Sequence, residues 1–467
     1  MRFTDLDYLF FLAIAYAGSV LIRASGRAPW TWLLVLSLGF YAAWDVRFIG
    51  LLGAATLLDF AIGAALGRAT DPGTRTRLVW LSIVGNLGML AVFKYGDFAL
   101  DSVAWAAGLA GAPLSLPRLG IALPIGISFY TFQTLSYSID VYRGTMPAVR
   151  SLRDFAFFVA FFPQLVAGPI VRASDFVPQI ERPPRTDAGA IGEGLFRIAV
   201  GMVKKIVLGD GIGRALVDPF FADPSGYNGA EALLADWAAY FALYCDFSGY
   251  TDIAIGSALL FGFVLPENFD RPAFAPSPLD HWRRWHITLG TFLRDYLYFP
   301  LGGARVSATR HWFNLFLTFF VSGVWHGVGA SYVLMGLWNG LFAATWRLIR
   351  PAPSRRPIPR AVESLIAFQI TALSVALLRP ISLDTVGQVA SAFLRWGAPA
   401  GGLWDATGVG LLGFVILLHL SPRAWRDHLY AAARGAPPFA AATMTVVVGG
   451  FCGLFAVWTR DFYYFQF

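Results

Sequence analysis

The stretch Ser322-Gly-Val-Trp-His-Gly-Val-Gly-Ala330 lies inside an apolar run that extends over residues 312–346. A run of this length is typical of membrane helices. About a dozen residues separate Trp312 from the first glycine of the stretch, or roughly 18 Å at about 1.5 Å per residue. That is little more than half of a hydrocarbon core about 30 Å thick. The stretch therefore predicts two helices joined by a turn deep in the bilayer, with His326 at that turn.

The remainder of the chain has the same apolar character. Of its 467 residues, 57% are hydrophobic and 14% are charged, whereas soluble domains carry about 45–50% apolar and about 25% charged residues. Lipid can solvate an apolar exterior that water would not tolerate. The composition therefore excludes an ordinary soluble protein. The net charge of +7 does not indicate a nucleic-acid binder, because the arginines fall in short loops between apolar runs.

Further apolar runs of roughly spanning length recur along the chain. They cover residues 8–22, 30–43, 48–66, 78–93, 119–139, 155–171, 191–208, 231–265, 361–378, 404–420 and 437–458. They predict an all-α multi-pass membrane protein, with residues 1–467 forming a single integral membrane domain. Lys and Arg are richer in one alternate set of loops than in the other, and the richer set should be cytoplasmic. Both termini are then expected outside the cytoplasm.

The run 231–265 contains Cys245-Asp-Phe-Ser-Gly-Tyr-Thr-Asp252 at its centre. Two carboxylates and a glycine at membrane depth predict a broken helix or hairpin that faces a cavity, with Asp246 and Ser248 lining it.

The segment Leu123-Pro-Ile-Gly-Ile-Ser-Phe-Tyr-Thr-Phe-Gln133 places Ser128, Tyr130 and Gln133 in another apolar run. These side chains either line a polar tunnel or hydrogen-bond neighbouring helices. A proline at each end of residues 163–169 predicts a kinked or re-entrant element.

His326 is the strongest candidate for a catalytic residue. An ionisable side chain inside the membrane is energetically costly and marks a functional site by default. Its imidazole can take a proton from a hydroxyl or carry an acyl group. The flanking glycines would leave room for a substrate. The alternative is a histidine that caps a helix and hydrogen-bonds a carbonyl.

A second candidate site is Asp280-His-Trp-Arg-Arg-Trp-His-Ile-Thr-Leu-Gly290, within a loop expected to be cytoplasmic, about 266–310. If this segment is helical, Trp282 shares a face with His286, and His281 shares one with Trp285. Arg283 and Arg284 could bind a phosphate-bearing donor, with Trp282 and Trp285 beside them. The alternative is a basic helix lying against anionic lipid. No metal site is predicted, because His281 and His286 diverge on a helix.

Several motifs together resemble the membrane-bound O-acyltransferase (MBOAT) family, in particular its bacterial alginate O-acetyltransferase branch. They occur in the family's order and cover most of the chain. They are Pro124-Ile-Gly-Ile-Ser-Phe-Tyr-Thr-Phe-Gln133, Phe161-Phe-Pro-Gln-Leu-Val-Ala-Gly-Pro-Ile170, Tyr244-Cys-Asp-Phe-Ser-Gly-Tyr-Thr-Asp-Ile-Ala-Ile-Gly256, Trp282-Arg-Arg-Trp-His-Ile-Thr-Leu289, Tyr296-Leu-Tyr-Phe-Pro-Leu-Gly-Gly303, Ser322-Gly-Val-Trp-His-Gly327 and Phe462-Tyr-Tyr-Phe-Gln-Phe467.

The resemblance implies a ring of helices around a thinned centre crossed by a tunnel, with the catalytic core at about 119–347. It implies that His326 is catalytic, that His286 is a second active-site histidine, and that Trp325 lines the tunnel. The donor would be cytoplasmic acetyl-CoA, with no permanently bound cofactor. An extracytoplasmic esterase-like (SGNH-type) partner at the bacterial inner membrane would acetylate a polysaccharide such as alginate.

The C-terminal residues 462–467 are an aromatic tail. By the resemblance, Tyr464 would receive the acyl group; the alternative is an interfacial aromatic anchor.

Two other functions of the protein also remain open. One is D-alanyl transfer to a teichoic acid-like polymer, which belongs to the same family. The other is a polysaccharide transporter or flippase, although the polar segments lack the counterparts in the first half that transporter repeats usually show.

Overall fold

A computed structural model describes residues 3–166, 168–182, 186–349, 359–379, 381–397 and 402–455. Over these residues the secondary structure is helical, apart from one isolated antiparallel bridge between Phe269 and Trp285. The predicted all-α class is therefore confirmed. The chain divides into two compact units. The first is Met1–Thr186 with Leu260–Leu265, and the second is Asp187–Leu259 with Pro266–Phe467.

The helices of the first unit are α1 Leu6–Ala24, α2 Trp30–Ala42, α3 Arg47–Arg68, α4 Pro72–Leu109, α5 Ile127–Arg143, α6 Leu152–Ala160, α7 Phe162–Leu165 and α8 Ala173–Glu181. Helices α1, α2 and α3 follow their predicted apolar runs to within about two residues, whereas α4 extends well beyond the run predicted at 78–93. By length and apolar composition, α1, α3 and α4 can each cross a membrane. Helix α4 begins at Pro72 because Asp71 caps it, accepting a hydrogen bond of 2.7 Å from the Thr74 N–H.

Two boundaries in the first unit are set by local chemistry. The run predicted at 119–139 becomes helical only at Ile127, after Gly126 in the left-handed region at φ 78°. A Cβ on Gly126 would lie 2.6 Å from the Leu165 carbonyl oxygen, so only glycine fits there. The kink predicted near Pro163 is confirmed, since α6 ends at Ala160 and α7 begins at Phe162.

The second unit contains helices α9 to α21. They are α9 Ala188–Met202, α10 Asp210–Ile212, α11 Asp218–Ala222, α12 Gly229–Leu260 (all but its last residue), α13 Pro278–Trp282, α14 Ile287–Leu293, α15 Ala308–His326, α16 Ala330–Ile349, α17 Arg360–Ala376, α18 Leu383–Leu394, α19 Ala406–Leu420, α20 Arg423–Gly435 and α21 Pro438–Leu454. Helices α19 and α20 meet at 90° and could together form one further span. Short π-helical segments lie at Val203–Gly209, Gly213–Val217 and Arg294–Tyr298.

The prediction of a broken helix at residues 245–252 is wrong, because α12 runs unbroken through the segment. Its two carboxylates pair with lysines. Lys205 Nζ lies 2.6 Å from Asp246 Oδ1, and Lys204 Nζ lies 2.7 Å from Asp252 Oδ2. A Cβ on Gly249 would lie 2.7 Å from the Gly201 carbonyl oxygen. The glycine thus permits close helix packing rather than a break.

Candidate active site

His326 is the last residue of α15, and α16 starts at Ala330 after a short turn. The helix–turn–helix predicted from the sequence is therefore confirmed. The two helices approach closely, since a Cβ on Gly323 would lie 2.4 Å from the Gly336 Cα. A Cβ on Gly327 would lie 2.3 Å from the Tyr332 ring. These two glycines therefore make room for protein atoms, whereas the sequence interpretation gave that room to a substrate.

His286 lies in the segment that connects α12 to α15, outside the predicted apolar runs. The helix considered for residues 280–290 is interrupted there, because α13 ends at Trp282 and α14 starts at Ile287. His286 adopts φ 44° and ψ 55°, a left-handed conformation that is uncommon outside glycine. The cause is a pairing of two chain segments: Ile287 N–H donates to the Asn268 carbonyl at 2.9 Å, and Asp270 N–H to the Arg284 carbonyl at 2.9 Å.

The fold brings the two predicted histidines together. The ring centroids of His286 and His326 are 6.4 Å apart, and both side chains are almost fully buried. The indole of Trp325 lies beside both rings, with centroids 5.1 Å from His326 and 6.2 Å from His286. Phe247 of α12 contacts the His286 ring edge to face at 4.8 Å. Aromatic side chains therefore hold both imidazoles in place.

Both histidines line one cavity of about 480 Å³ within the second unit. The predicted residues Trp282, Trp285 and Arg283 line it as well. Its other lining residues come mainly from α14, α15 and the segment between them, and the polar ones are Thr291, Arg294, Tyr298, His311, Thr318 and Ser322. A mostly apolar cavity with a few converging polar groups is the usual form of a small-molecule site.

The two neighbouring arginines have different surroundings. Arg283 lines the cavity and is exposed, and no carboxylate of the described chain lies within ion-pair distance of it. Arg284 Nη2 instead lies 2.7 Å from Asp280 Oδ2, and Arg284 is not among the lining residues. Phosphate binding by both arginines remains a prediction. The structure favours Arg283 for this role, because Arg283 lines the cavity while Arg284 already pairs with Asp280.

His281 has a structural environment. Its Nδ1 lies 3.0 Å from the Pro272 carbonyl oxygen, and its ring stacks on Trp285 with centroids 5.7 Å apart. Burial lowers the pKa of His281 to about 3, so the ring is neutral at physiological pH. Burial also holds the pKa of His286 well below its usual value, with the nearby His326 adding to the effect.

The remaining predicted tunnel residues are distributed over both units. In the first unit, Tyr130 and Gln133 are buried on α5, and Ser128 Oγ lies 3.4 Å from Lys94 Nζ. In the second, Ser248 is buried on α12 and Asp246 is paired with Lys205, and neither lines the cavity of the two histidines. A tunnel role for these five remains a prediction. Tyr464 and the whole tail 462–467 lie outside the described residues.

Sequence reasoning missed Asn268, whose side chain holds His286 across the pairing of the two segments. Its Oδ1 lies 3.0 Å from His286 Nδ1. Nothing near Asn268 in the sequence signals this contact, because the two residues are 18 positions apart and the short helix α13 lies between them. His311, Thr318 and Ser322 also line the cavity and were not singled out. Their spacing on α15 at roughly one turn or two places them on one helix face.

Comparison with known proteins yields a consistent set of similarities. A sequence model of the membrane-bound O-acyltransferase family matches residues 147–377, which include both histidines. The "Probable alginate O-acetylase AlgI" of Pseudomonas aeruginosa is 41% identical over 373 residues, 78% of this chain and 69% of that protein. The peptidoglycan O-acetyltransferase of Helicobacter pylori is 32% identical over 421 residues, 83% of this chain and 78% of that protein.

A more distant similarity extends to a different acyl group. The teichoic acid D-alanyltransferase of Bacillus subtilis is 27% identical over 229 residues, 46% of this chain and 57% of that protein. The resemblance inferred from the motifs is therefore confirmed, and with it the assignment as a membrane O-acyltransferase. On the family match and on relatives whose length it largely covers, this chain belongs to the membrane-bound O-acyltransferase family.

Proposed function

We propose that this protein moves acetyl groups from cytoplasmic acetyl-CoA across the bacterial inner membrane, for O-acetylation of an extracytoplasmic polysaccharide. The observation that carries the proposal is the cavity of about 480 Å³ that His286, His326 and Arg283 line together. It offers a proton acceptor and a cation for a phosphate-bearing donor at one place. Acetyl-CoA is the donor substrate in this proposal, and no bound cofactor is needed.

The chemistry is a single acyl exchange. The oxygen of an acceptor hydroxyl forms a bond to the thioester carbonyl carbon, and the carbon–sulfur bond breaks. The imidazole of His326 takes the hydroxyl proton and passes it to the departing thiolate, which leaves as a thiol. The apolar walls exclude water, which would otherwise hydrolyse the thioester. By motif similarity the acceptor is Tyr464, with an esterase-like SGNH-type partner then acetylating the polymer.

Acetyl is favoured over D-alanyl as the acyl group. The alginate and peptidoglycan O-acetylating relatives match over about four fifths of this chain, whereas the D-alanyl relative matches over 46% at 27% identity. This difference supports an acetylating enzyme, with a polysaccharide such as alginate as the final acceptor. A transporter or flippase receives no such support, because the similarity is to enzymes that transfer acyl groups.

The test is acetyl transfer by the full chain in sealed vesicles with its candidate esterase-like partner and an exopolysaccharide. Acetyl-CoA labelled in the acetyl group is supplied on the side that carries the cytoplasmic loops. We expect label in the polymer for the wild type and background for His326→Ala at equal protein level. Transfer by His326→Ala at the wild-type rate would end the catalytic assignment. Transfer only from a D-alanyl-loaded carrier protein would replace acetyl by D-alanyl.

The orientation belongs to the same proposal. The excess of Lys and Arg in alternate loops supports cytoplasmic loops at that face and both termini outside. Alkaline phosphatase fused to either terminus should then be active in intact cells. An inactive fusion at one terminus, with normal insertion of the chain, would mean an odd number of crossings.

A further inference from the structure

Asn268 contacts His286 from outside the cavity. Its side chain is fully buried, and its Oδ1 lies 3.0 Å from His286 Nδ1, 3.2 Å from the Thr288 N–H nitrogen and 2.9 Å from Thr288 Oγ1. One side-chain oxygen thus serves the second histidine of the site and the first turn of α14. Asn268 itself is not among the residues that line the cavity.

The direction of these hydrogen bonds follows from what each group can do. A backbone N–H can only donate, so the atom of Asn268 that faces Thr288 is the amide oxygen and not the NH₂ group. An amide oxygen can only accept, so His286 Nδ1 carries a hydrogen and donates it. A neutral imidazole has one N–H, and burial keeps His286 neutral. Its Nε2 therefore carries a lone pair.

The surroundings of the ring decide where that lone pair points. His286 lines the cavity while Asn268 does not, so the ring stands between Asn268 and the cavity. Phe247 and Trp325 contact the ring at centroid distances of 4.8 and 6.2 Å and restrict its rotation. The backbone is restrained by the same residue, because the Asn268 carbonyl accepts the Ile287 N–H at 2.9 Å. Nε2 is the ring nitrogen that Asn268 does not contact, so it is the one that can face the cavity lined by His286.

We propose that Asn268 is a positioning residue for the acyl-transfer reaction, whose side-chain oxygen fixes His286 in the Nδ1–H tautomer and so presents the Nε2 lone pair to the cavity. In the other tautomer an N–H would face the cavity, and that group cannot accept a proton. A second imidazole held as an acceptor beside His326 can receive a hydrogen bond from the His326 imidazolium once the acceptor hydroxyl has lost its proton.

The proposal rests on the O-acyltransferase activity for its effect on rate, but the tautomer is a property of the resting protein. It can therefore be measured without substrate. The full chain is labelled with ¹⁵N-histidine, and the ring nitrogens are observed by NMR in detergent or lipid discs. The chain has 6 histidines, so the His286 signals can be assigned by their loss in His286→Asn.

We expect the wild type to show a protonated Nδ1 and an unprotonated Nε2 at His286. Asn268→Asp keeps an acceptor of the same shape and should keep this tautomer, with transfer within a few-fold of wild type. Asn268→Leu keeps the volume but removes the acceptor. It should give a mixture of tautomers and lower the transfer rate by about 10²-fold, the lower end of the contribution of a positioned proton acceptor.

Thr288→Val is the matched control for a purely structural role. It removes the hydroxyl that also donates to Asn268 Oδ1, yet it leaves the His286 contact intact. Tautomer and rate should both stay close to those of wild type. A wild-type His286 protonated on Nε2, or an unchanged tautomer in Asn268→Leu, would overturn the proposal. If the tautomers behave as expected but acetyl-CoA is not used, the proposed donor is wrong and the positioning role still holds.

Discussion

Two buried polar regions of this protein contrast in how their hydrogen bonds are arranged. In the first unit, the Asp59 carboxylate on α3 accepts hydrogen bonds from Ser82 Oγ and Ser138 Oγ at 2.5 Å each and from Asn86 Nδ2 at 2.6 Å. These residues are all fully buried, and they join α3 to α4 and α5. In the second unit, His286 and His326 are also buried, but both line a cavity of about 480 Å³.

Burial of an ionisable group is therefore common to both regions, and what differs is the cavity beside the histidines. The default inference that a buried ionisable residue in a membrane protein is functional is supported at His326 by the cavity that it lines and by the family match that includes it. It does not hold in the same way for Asp59, because hydroxyl and amide donors occupy both of its oxygens. A cavity beside the group, rather than depth alone, distinguishes a reactive site from a polar contact that holds helices together.

The largest expected effect is a loss of thermal stability, which should follow substitution at Asp59 but not at His326. Asp59→Leu leaves three buried donors without their acceptor, each at a cost of about 1–3 kcal/mol. We expect it to lower the thermal midpoint strongly in detergent or to prevent accumulation of the protein. His326→Ala should leave the midpoint close to wild type while abolishing transfer.

Thermal unfolding of both variants, followed by tryptophan fluorescence, is the measurement. Asp59→Asn keeps one acceptor oxygen and should lie between Asp59→Leu and wild type. A stable Asp59→Leu protein that has lost only its transfer activity would place Asp59 on the functional side of the comparison.

A slightly smaller loss of acetyl transfer is expected at Tyr464. The comparison here is between a tyrosine that receives the acyl group and an aromatic tail that only anchors the chain. Tyr464→Phe keeps the ring and its interfacial area but deletes the hydroxyl. If Tyr464 receives the acyl group, this change should stop acetyl export, while Tyr463→Phe should be tolerated. Polymer acetylation in cells with equal protein levels measures both. Full activity in Tyr464→Phe, with loss only after deletion of residues 462–467, would reduce the tail to an anchor.

The smallest effect is expected at two adjacent arginines, of which Arg283 is exposed and lines the cavity while Arg284 does not line it. Arg283→Gln removes the cation that lines the cavity and should raise the KM for acetyl-CoA by about threefold to tenfold, since an exposed charge pair contributes about 1 kcal/mol. Arg283→Lys should lie closer to wild type, because the charge remains although the bidentate geometry is lost.

Arg284→Gln is the matched control, because Arg284 is already paired with Asp280. We expect its KM to stay near the wild-type value. Equal KM values for the two glutamine variants, with a change only in protein level, would instead favour a basic segment that lies against lipid.

The sequence predicted those features that depend on contiguous residues. The bounds of α1 and α3 lie within about two residues of the predicted runs, and the turn after His326 is found where the glycines indicated it. Residues 245–252 were misjudged because the lysines that neutralise Asp246 and Asp252 lie more than 40 positions earlier in the chain. Periodicity contains no information about such a distant partner.

The same limit explains the second histidine. Local spacing suggested a helix through residues 280–290, and the pairing of Asn268–Asp270 with Arg284–Ile287 interrupted it. His286 and Trp285 still reached the cavity that the motifs indicated, although by a different backbone path. Asn268 was missed altogether, since its role exists only after the two segments have come together.

The left-handed conformation of His286 has a consequence for how this position tolerates replacement. At φ 44° a side chain with Cβ is strained by about 1–2 kcal/mol, whereas glycine, asparagine and aspartate adopt this region more readily. The variant His286→Ala therefore changes two things at once, because it removes the imidazole and also alters the backbone strain at this position. In a saturation library, protein abundance at position 286 should rank asparagine, aspartate and glycine above valine and isoleucine, while the helical position 326 should show the reverse order for glycine. The left-handed backbone at position 286 thus limits which residues can replace this histidine without destabilising the protein.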